Sequence, residues 1–132
     1  MLSLALLAAA AATAQPVAAI PLPPPVAIAT FDVPQNRGVQ EVLVVRRMFP
    51  VGSSSGWHAH PGVEVAYLLS GEMLLEMEGQ APRRMRTGDT FTMPRGVAHN
   101  GTNRGKVPAM LVITYTLDKG APTRTPVLPP AP

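Results

Sequence analysis

Between Val39 and Leu117 the chain alternates short apolar runs with clusters of Gly, Pro, Asn and Ser, and within several runs apolar and polar positions exchange at every residue. Along residues 72–78, Met73, Leu75 and Met77 fall on one face while Glu72, Glu76 and Glu78 fall on the other. This period of two belongs to a half-buried antiparallel strand. No stretch sustains the 3.6-residue period of a helix. The pattern predicts strands over 39–49, 57–60, 63–69, 72–78, 83–86, 90–93, 97–100 and 108–117. Ser70-Gly71 and Gly79-Gln80 have the composition of hairpin turns between them. Short strands joined by tight turns predict a closed sandwich or barrel.

Composition changes the picture mainly at the ends. The 132 residues suffice for one domain, and 16 prolines crowd toward the termini. The foldable part is therefore expected at 37–118. Residues 15–36, which contain Pro23-Pro24-Pro25, read as an extended linker or N-terminal arm with polyproline II character. Residues 119–132 repeat that composition and read as a loose or surface-draped tail. Residues 1–14 are apolar and alanine-rich and end in Ala12-Thr13-Ala14, the small-x-small form of a signal-peptidase site. Export to the periplasm or medium, with cleavage after Ala14, is the expectation. Gln15-Pro16 interrupts the run short of the about 20 apolar residues a membrane span requires, so no stable membrane insertion is expected after processing.

The net charge of +3 is spread along the chain without the clustered arginines and aromatics of a nucleic-acid track, so nucleic acid is excluded as a partner. With no cysteine, neither a disulfide nor a thiolate metal site is available.

Candidate chemistry rests on the three histidines the chain possesses. His58 and His60, two residues apart on a strand, point to one face about 7 Å apart. Glu64 follows Pro61-Gly62 at the same parity and can approach from the next strand. His99 follows the tight corner Pro94-Arg95-Gly96. Three imidazoles and one carboxylate can hold a divalent transition metal while leaving coordination positions open.

The spacings Gly52, His58, His60, Glu64, Gly71 and Gly88, Pro94, Gly96, His99, Asn103 resemble the two signature motifs of the cupin superfamily, position by position. The resemblance runs from about residue 40 to 117. It implies an all-β fold, a single jelly-roll or double-stranded β-helix barrel, with one divalent metal (Fe, Mn, Cu, Ni or Zn) held by His58, His60, Glu64 and His99. It also implies a homodimer and a small organic ligand or substrate. Glu64 is the candidate catalytic residue, as ligand and as general base. The expected activity is that of an O2-using, dioxygenase-like oxidoreductase, with isomerase or decarboxylase chemistry behind it; the competing reading is a small-molecule binding or sensory protein of the cell envelope that turns nothing over. Met73, Leu75, Met77, Phe91 and Met93 are expected to line either the cavity or the space between the sheets, and an apolar cavity favours an uncharged or enolic ligand over a sugar phosphate or oxalate. For an anion, Arg95 is the first candidate counter-charge because it lies inside the second motif, followed by Arg47, Arg83, Arg84 and Arg86. Trp57 is expected on the opposite face or at the rim, and Asn103 as a turn-former.

Overall fold

The computed structural model describes residues 20–35 and 38–131. The expected signal segment lies outside them. Ten strands form in chain order: β1 (Val26–Gln35), β2 (Gly38–Phe49), β3 (His58–Ala59), β4 (Gly62–Ser70), β5 (Glu72–Met77), β6 (Arg83–Arg86), β7 (Thr90–Met93), β8 (His99–Thr102), β9 (Ala109–Asp118) and β10 (Thr125–Pro126). Their antiparallel ladders make two five-stranded sheets, ordered β1-β2-β9-β4-β7 and β10-β3-β8-β5-β6. Facing each other, the sheets make an all-β double-stranded β-helix barrel. Among the described residues no helix is long and apolar enough to cross a membrane.

Alternation decides which residues enter the barrel. On β4, Gly62, Glu64, Ala66 and Leu68 are buried while Val63, Val65, Tyr67 and Leu69 are exposed. On β9 the inward set is Ala109, Leu111, Ile113, Tyr115 and Leu117. These residues interdigitate with Val45 and Phe49 of β2 and with Met73, Leu75 and Met85 of the opposing sheet. Such burial stabilises by roughly 25 cal/mol per Å² of apolar surface removed from water.

Two glycines permit this packing. Gly62 lies so close to the backbone of Thr116 that any Cβ would collide with its carbonyl oxygen. Gly71 adopts φ +86° in the β4–β5 turn, with the backbone of Ala109 directly behind it.

Edge strands form at both termini, in the segments read as a linker or N-terminal arm and as a loose or surface-draped tail. The proline-free run 26–33 lets β1 pair along β2 at the edge of its sheet, where Pro34 at the end of the strand is tolerated. At the other end, β10 pairs with β3, placing Thr125 opposite Ala59 and Pro126 opposite His58. It too is an edge strand, so Pro126 needs no donor on its outer side.

Candidate metal centre

Each sheet contributes to one buried cluster. His58 on β3 and His99 on β8 sit directly opposite in the antiparallel register, with ring centroids 4.2 Å apart. His60 follows β3 where the chain turns toward β4, and its carbonyl accepts a hydrogen bond from the Gly96 N–H at 2.9 Å. That bond ties the two sequence motifs together. Glu64 enters from β4 in the other sheet, between Met93 and Tyr115. One ligand atom from each of the four residues lies within 4.8 Å of all the others. The four are only 2–6% exposed.

The hydrogen bonds fix which nitrogens face inward. Nδ1 of His58 lies 2.7 Å from the Gly56 carbonyl, Nδ1 of His60 2.6 Å from that of Thr123, and Nδ1 of His99 3.0 Å from that of Val97. A carbonyl only accepts, so each Nδ1 carries the proton and each Nε2 of a neutral ring presents a lone pair. Nε2 of His60 and of His99 lie 2.7 and 3.2 Å from Oε2 of Glu64. Buried lone pairs therefore face a carboxylate, an arrangement that requires a cation between them or a proton on a ring. His60 Nε2 and Glu64 Oε2 have no hydrogen-bond partner. Three imidazole nitrogens and one carboxylate oxygen with inward lone pairs fit a divalent transition metal, and the backbone carbonyls behind them supply the outer hydrogen bonds that orient metal-binding histidines.

Burial lowers the pKa of His58 to about 4, against the opposing pull of the Gly56 carbonyl and with further lowering from His99. For Glu64, burial would raise the pKa, but in the metal-free protein hydrogen bonds and charge from protonated His60 and His99 rings outweigh it and bring the carboxyl to about 2. Tyr115, whose ring lies 4.9 Å from that of His60, is pushed above the ordinary phenol value by burial and by Glu64, so it keeps its proton near neutrality.

A pH dependence follows for the metal-free protein. Between about pH 6.5 and 4 the unfolded chain protonates His58 and the native state does not, so acidification through that window lowers stability. Glu64 adds a second loss, between about pH 4.5 and 2, where the unfolded carboxyl binds a proton first. Urea midpoints are expected to fall from pH 7 to 4.5, with a shallower fall in His58→Gln. Equal slopes in the two proteins would contradict the assignment to His58.

Beside the cluster lies a cavity of about 40 Å³, walled by His58, Glu64 and His99 and by apolar residues including Phe49, Met73, Phe91 and Ile113. Leu75 and Phe91 also border a groove of about 490 Å³ between β6 and β7. The lining is mostly apolar, as expected, with two arginines added. Arg47, on the inward face of β2 with Val45 and Phe49, reaches the cavity, and so does Arg124 from the C-terminal segment. Arg47 Nε is buried without a hydrogen-bond partner, and burial pulls its pKa below the usual guanidinium value. Arg124 donates from Nη2 to the Ser55 carbonyl at 2.9 Å.

Arg95, the first candidate from sequence, instead pairs at the surface with both carboxylate oxygens of Asp118 at 2.9 and 3.1 Å. Arg83, Arg84 and Arg86 are exposed on β6. Trp57 is not among the residues lining the cavity. Asn103 is fully buried and braces the barrel: its Nδ2 donates to the Phe49 and Val107 carbonyls, its Oδ1 accepts from the Gly105 N–H, and its carbonyl accepts from the Gly52 N–H. The first residue of one motif thus bonds the last of the other. The parity of β2 is the signal that would have selected Arg47; Arg124 had none, standing in a proline-rich tail.

Comparison with known proteins agrees with this architecture. The family model described as "Cupin domain" matches residues 45–115. The chain belongs to the cupin family. Among curated cupin relatives, oxalate oxidase 1 of Hordeum vulgare is 30% identical over 99 residues, covering 67% of this chain and 49% of that protein. The dimethylsulfoniopropionate lyase DddQ of Ruegeria pomeroyi is 35% identical over 69 residues, covering 52% of this chain and 34% of the lyase. A solved structure of oxalate oxidase in complex with the substrate analogue glycolate is 30% identical, with a TM-score of 0.56, over 61% of this chain and 44% of that one. The chain spans about half, or less, of the length of these relatives.

Proposed function

We propose that this cupin holds one divalent transition metal (Fe, Mn, Cu, Ni or Zn) through His58, His60, Glu64 and His99 and acts on a small organic carboxylate as an O2-using oxidoreductase. The observation that carries the choice of substrate class is Arg47: a half-buried arginine whose buried Nε has no hydrogen-bond partner, in the same cavity as the candidate ligands. A cation so placed favours an anion that can accept from it, and Arg124 adds a second positive group on the same cavity. The volume of about 40 Å³ suits a ligand of a few non-hydrogen atoms. The likeness to an oxalate oxidase and a dimethylsulfoniopropionate lyase supports a small acid over a neutral diketone.

A bound transition metal would supply Lewis acidity and, for a redox-active ion, electron transfer to oxygen. The chain's own groups do the rest. Arg47 and Arg124 orient the carboxylate, the apolar wall of Met73, Phe91 and Ile113 limits water, and Tyr115 remains a neutral phenol beside His60. Glu64 serves as ligand and as the carboxylate placed to accept a proton from a molecule in the cavity.

One observation favours the alternative of a binding or sensory cupin without turnover. Among the described residues lining the cavity, Glu64 is the only carboxylate, and no lysine is present. Calorimetry and oxygen uptake on metal-loaded protein with oxalate, glycolate and the neutral ethylene glycol separate the readings. Oxalate or glycolate is expected to bind, and Arg47→Met to weaken binding by about 10–100-fold, the worth of one charge-assisted hydrogen bond. Equal affinity for ethylene glycol, or no loss in Arg47→Met, contradicts the carboxylate reading. Oxygen uptake no greater than in His60→Ala, despite binding, selects the non-catalytic alternative.

Export and self-association belong to the same proposal. The segment 1–14 supports a signal peptide cleaved after Ala14, and the exposed apolar row Val63, Val65, Tyr67 and Leu69 on β4 supports a homodimer through the outer face of that sheet. The mass and sedimentation of protein recovered from the cell envelope test both.

A further inference from the structure

The three outer-shell carbonyls behind the histidines are not equivalent. Gly56 and Val97 each precede their own histidine by two residues, so the segments that carry His58 and His99 also orient them. The partner of His60 is Thr123, 63 residues further along the chain. No local structure around His60 supplies that contact; it exists because the C-terminal segment crosses to the metal centre.

Several independent contacts hold the segment there. β10 pairs with β3. The Val127 N–H donates to the Trp57 carbonyl at 3.1 Å, and Arg124 Nη2 donates to the Ser55 carbonyl at 2.9 Å. Contacts from the four residues that follow Thr123 thus aim its carbonyl at His60. Pro122 and Pro126 flank this stretch, and proline reduces the conformational freedom that ordering it costs.

We propose that residues 123–127 are a working part of the metal centre: the Thr123 carbonyl holds His60 as the Nδ1–H tautomer with Nε2 free for the ion, so that the C-terminal segment sets metal affinity. This rests on the metal-centre reading above. Outer partners of this kind govern which ring nitrogen is available, and losing one typically costs about 10–100-fold in metal affinity. Because β10 is a two-residue edge strand and the apolar core contains none of its residues, the barrel is expected to fold without the segment. Thr123 is therefore a positioning residue acting through its backbone.

The test uses zinc(II) as probe, competed against a chromophoric chelator, together with ¹⁵N NMR of the histidine rings. In the metal-free full-length protein His60 is expected to show Nδ1 protonated; Nε2 protonated instead would overturn the inference without any variant. The double variant Arg124→Met/Val127→Pro, which removes the ties to Ser55 and Trp57 from outside the ligand set, and a chain ending at Gly120 are each expected to bind zinc about 10–100-fold more weakly. In both, the His60 ring signals should change while those of His58 and His99 keep their Nδ1 protons. Arg124→Met alone, which leaves the Val127 bond in place, should lose much less. Wild-type affinity in the chain ending at Gly120 overturns the inference and spares the metal centre. Failure of the full-length protein to bind zinc at all overturns both, and the tautomer measurement still reports on the Thr123 contact.

Discussion

His99→Ala is expected to abolish stoichiometric metal binding, lowering affinity by more than about 100-fold, since direct ligands matter more than the outer partners whose loss costs about 10–100-fold. His99 is the one donor supplied by the second motif. Its ring lies 4.2 Å from that of His58, and its Nε2 lies 3.2 Å from Glu64 Oε2. Deleting it opens a side of the cluster that no other described histidine can fill, since the chain has only three. The barrel should survive, because the hydrogen bonds of β8 to β5 are made by backbone. Elemental analysis after dialysis, beside far-UV circular dichroism, reads both outcomes. Near-stoichiometric metal in a folded His99→Ala protein would contradict its place in the cluster.

The second large effect is on stability. Metal that binds the native state and not the unfolded chain stabilises by mass action, about 4 kcal/mol at a free concentration 1,000 times Kd. For a domain of this size that corresponds to a melting shift of roughly 15 °C. The effect should be larger than usual in one respect: without the ion, His60 Nε2 and Glu64 Oε2 remain buried and unpartnered. Scanning calorimetry of chelator-treated and reloaded protein is expected to show the shift. Coincident transitions would mean that the cluster is satisfied by protons alone.

Much of the barrel was legible because alternation is a local signal. The strands at 83–86 and 90–93 coincide with β6 and β7, and β2, β4, β5 and β9 differ from expectation by a residue or so at an end. The runs near the site were less well placed: the strand expected at 97–100 begins at His99, since Val97 and Ala98 still belong to the turn that Pro94 and Gly96 start. The candidate ligands were legible from spacing, because the parity of His58, His60 and Glu64 survives folding.

What escaped was carried by contacts far apart in sequence. Residues 26–35 were grouped with prolines on either side, although the run between them is suited to an edge strand. The tail was read from composition alone, and neither β10 nor the 2.6 Å contact from Thr123 to His60 leaves a periodic trace. Arg47 stood among the candidate counter-charges behind Arg95, although its parity with Val45 and Phe49 places it first. Arg95 lies inside a motif, yet its place in the turn after β7 delivers it to Asp118 at the surface. Membership of a motif locates a backbone, and parity decides where the side chain goes.

The most direct measurement is anomalous diffraction from crystals of the metal-loaded, full-length protein. The expectation is one peak within bonding distance of Nε2 of His58, His60 and His99 and an oxygen of Glu64, beside the cavity that Arg47 also lines. A fully occupied peak elsewhere, or one that omits any of the three rings, would contradict it.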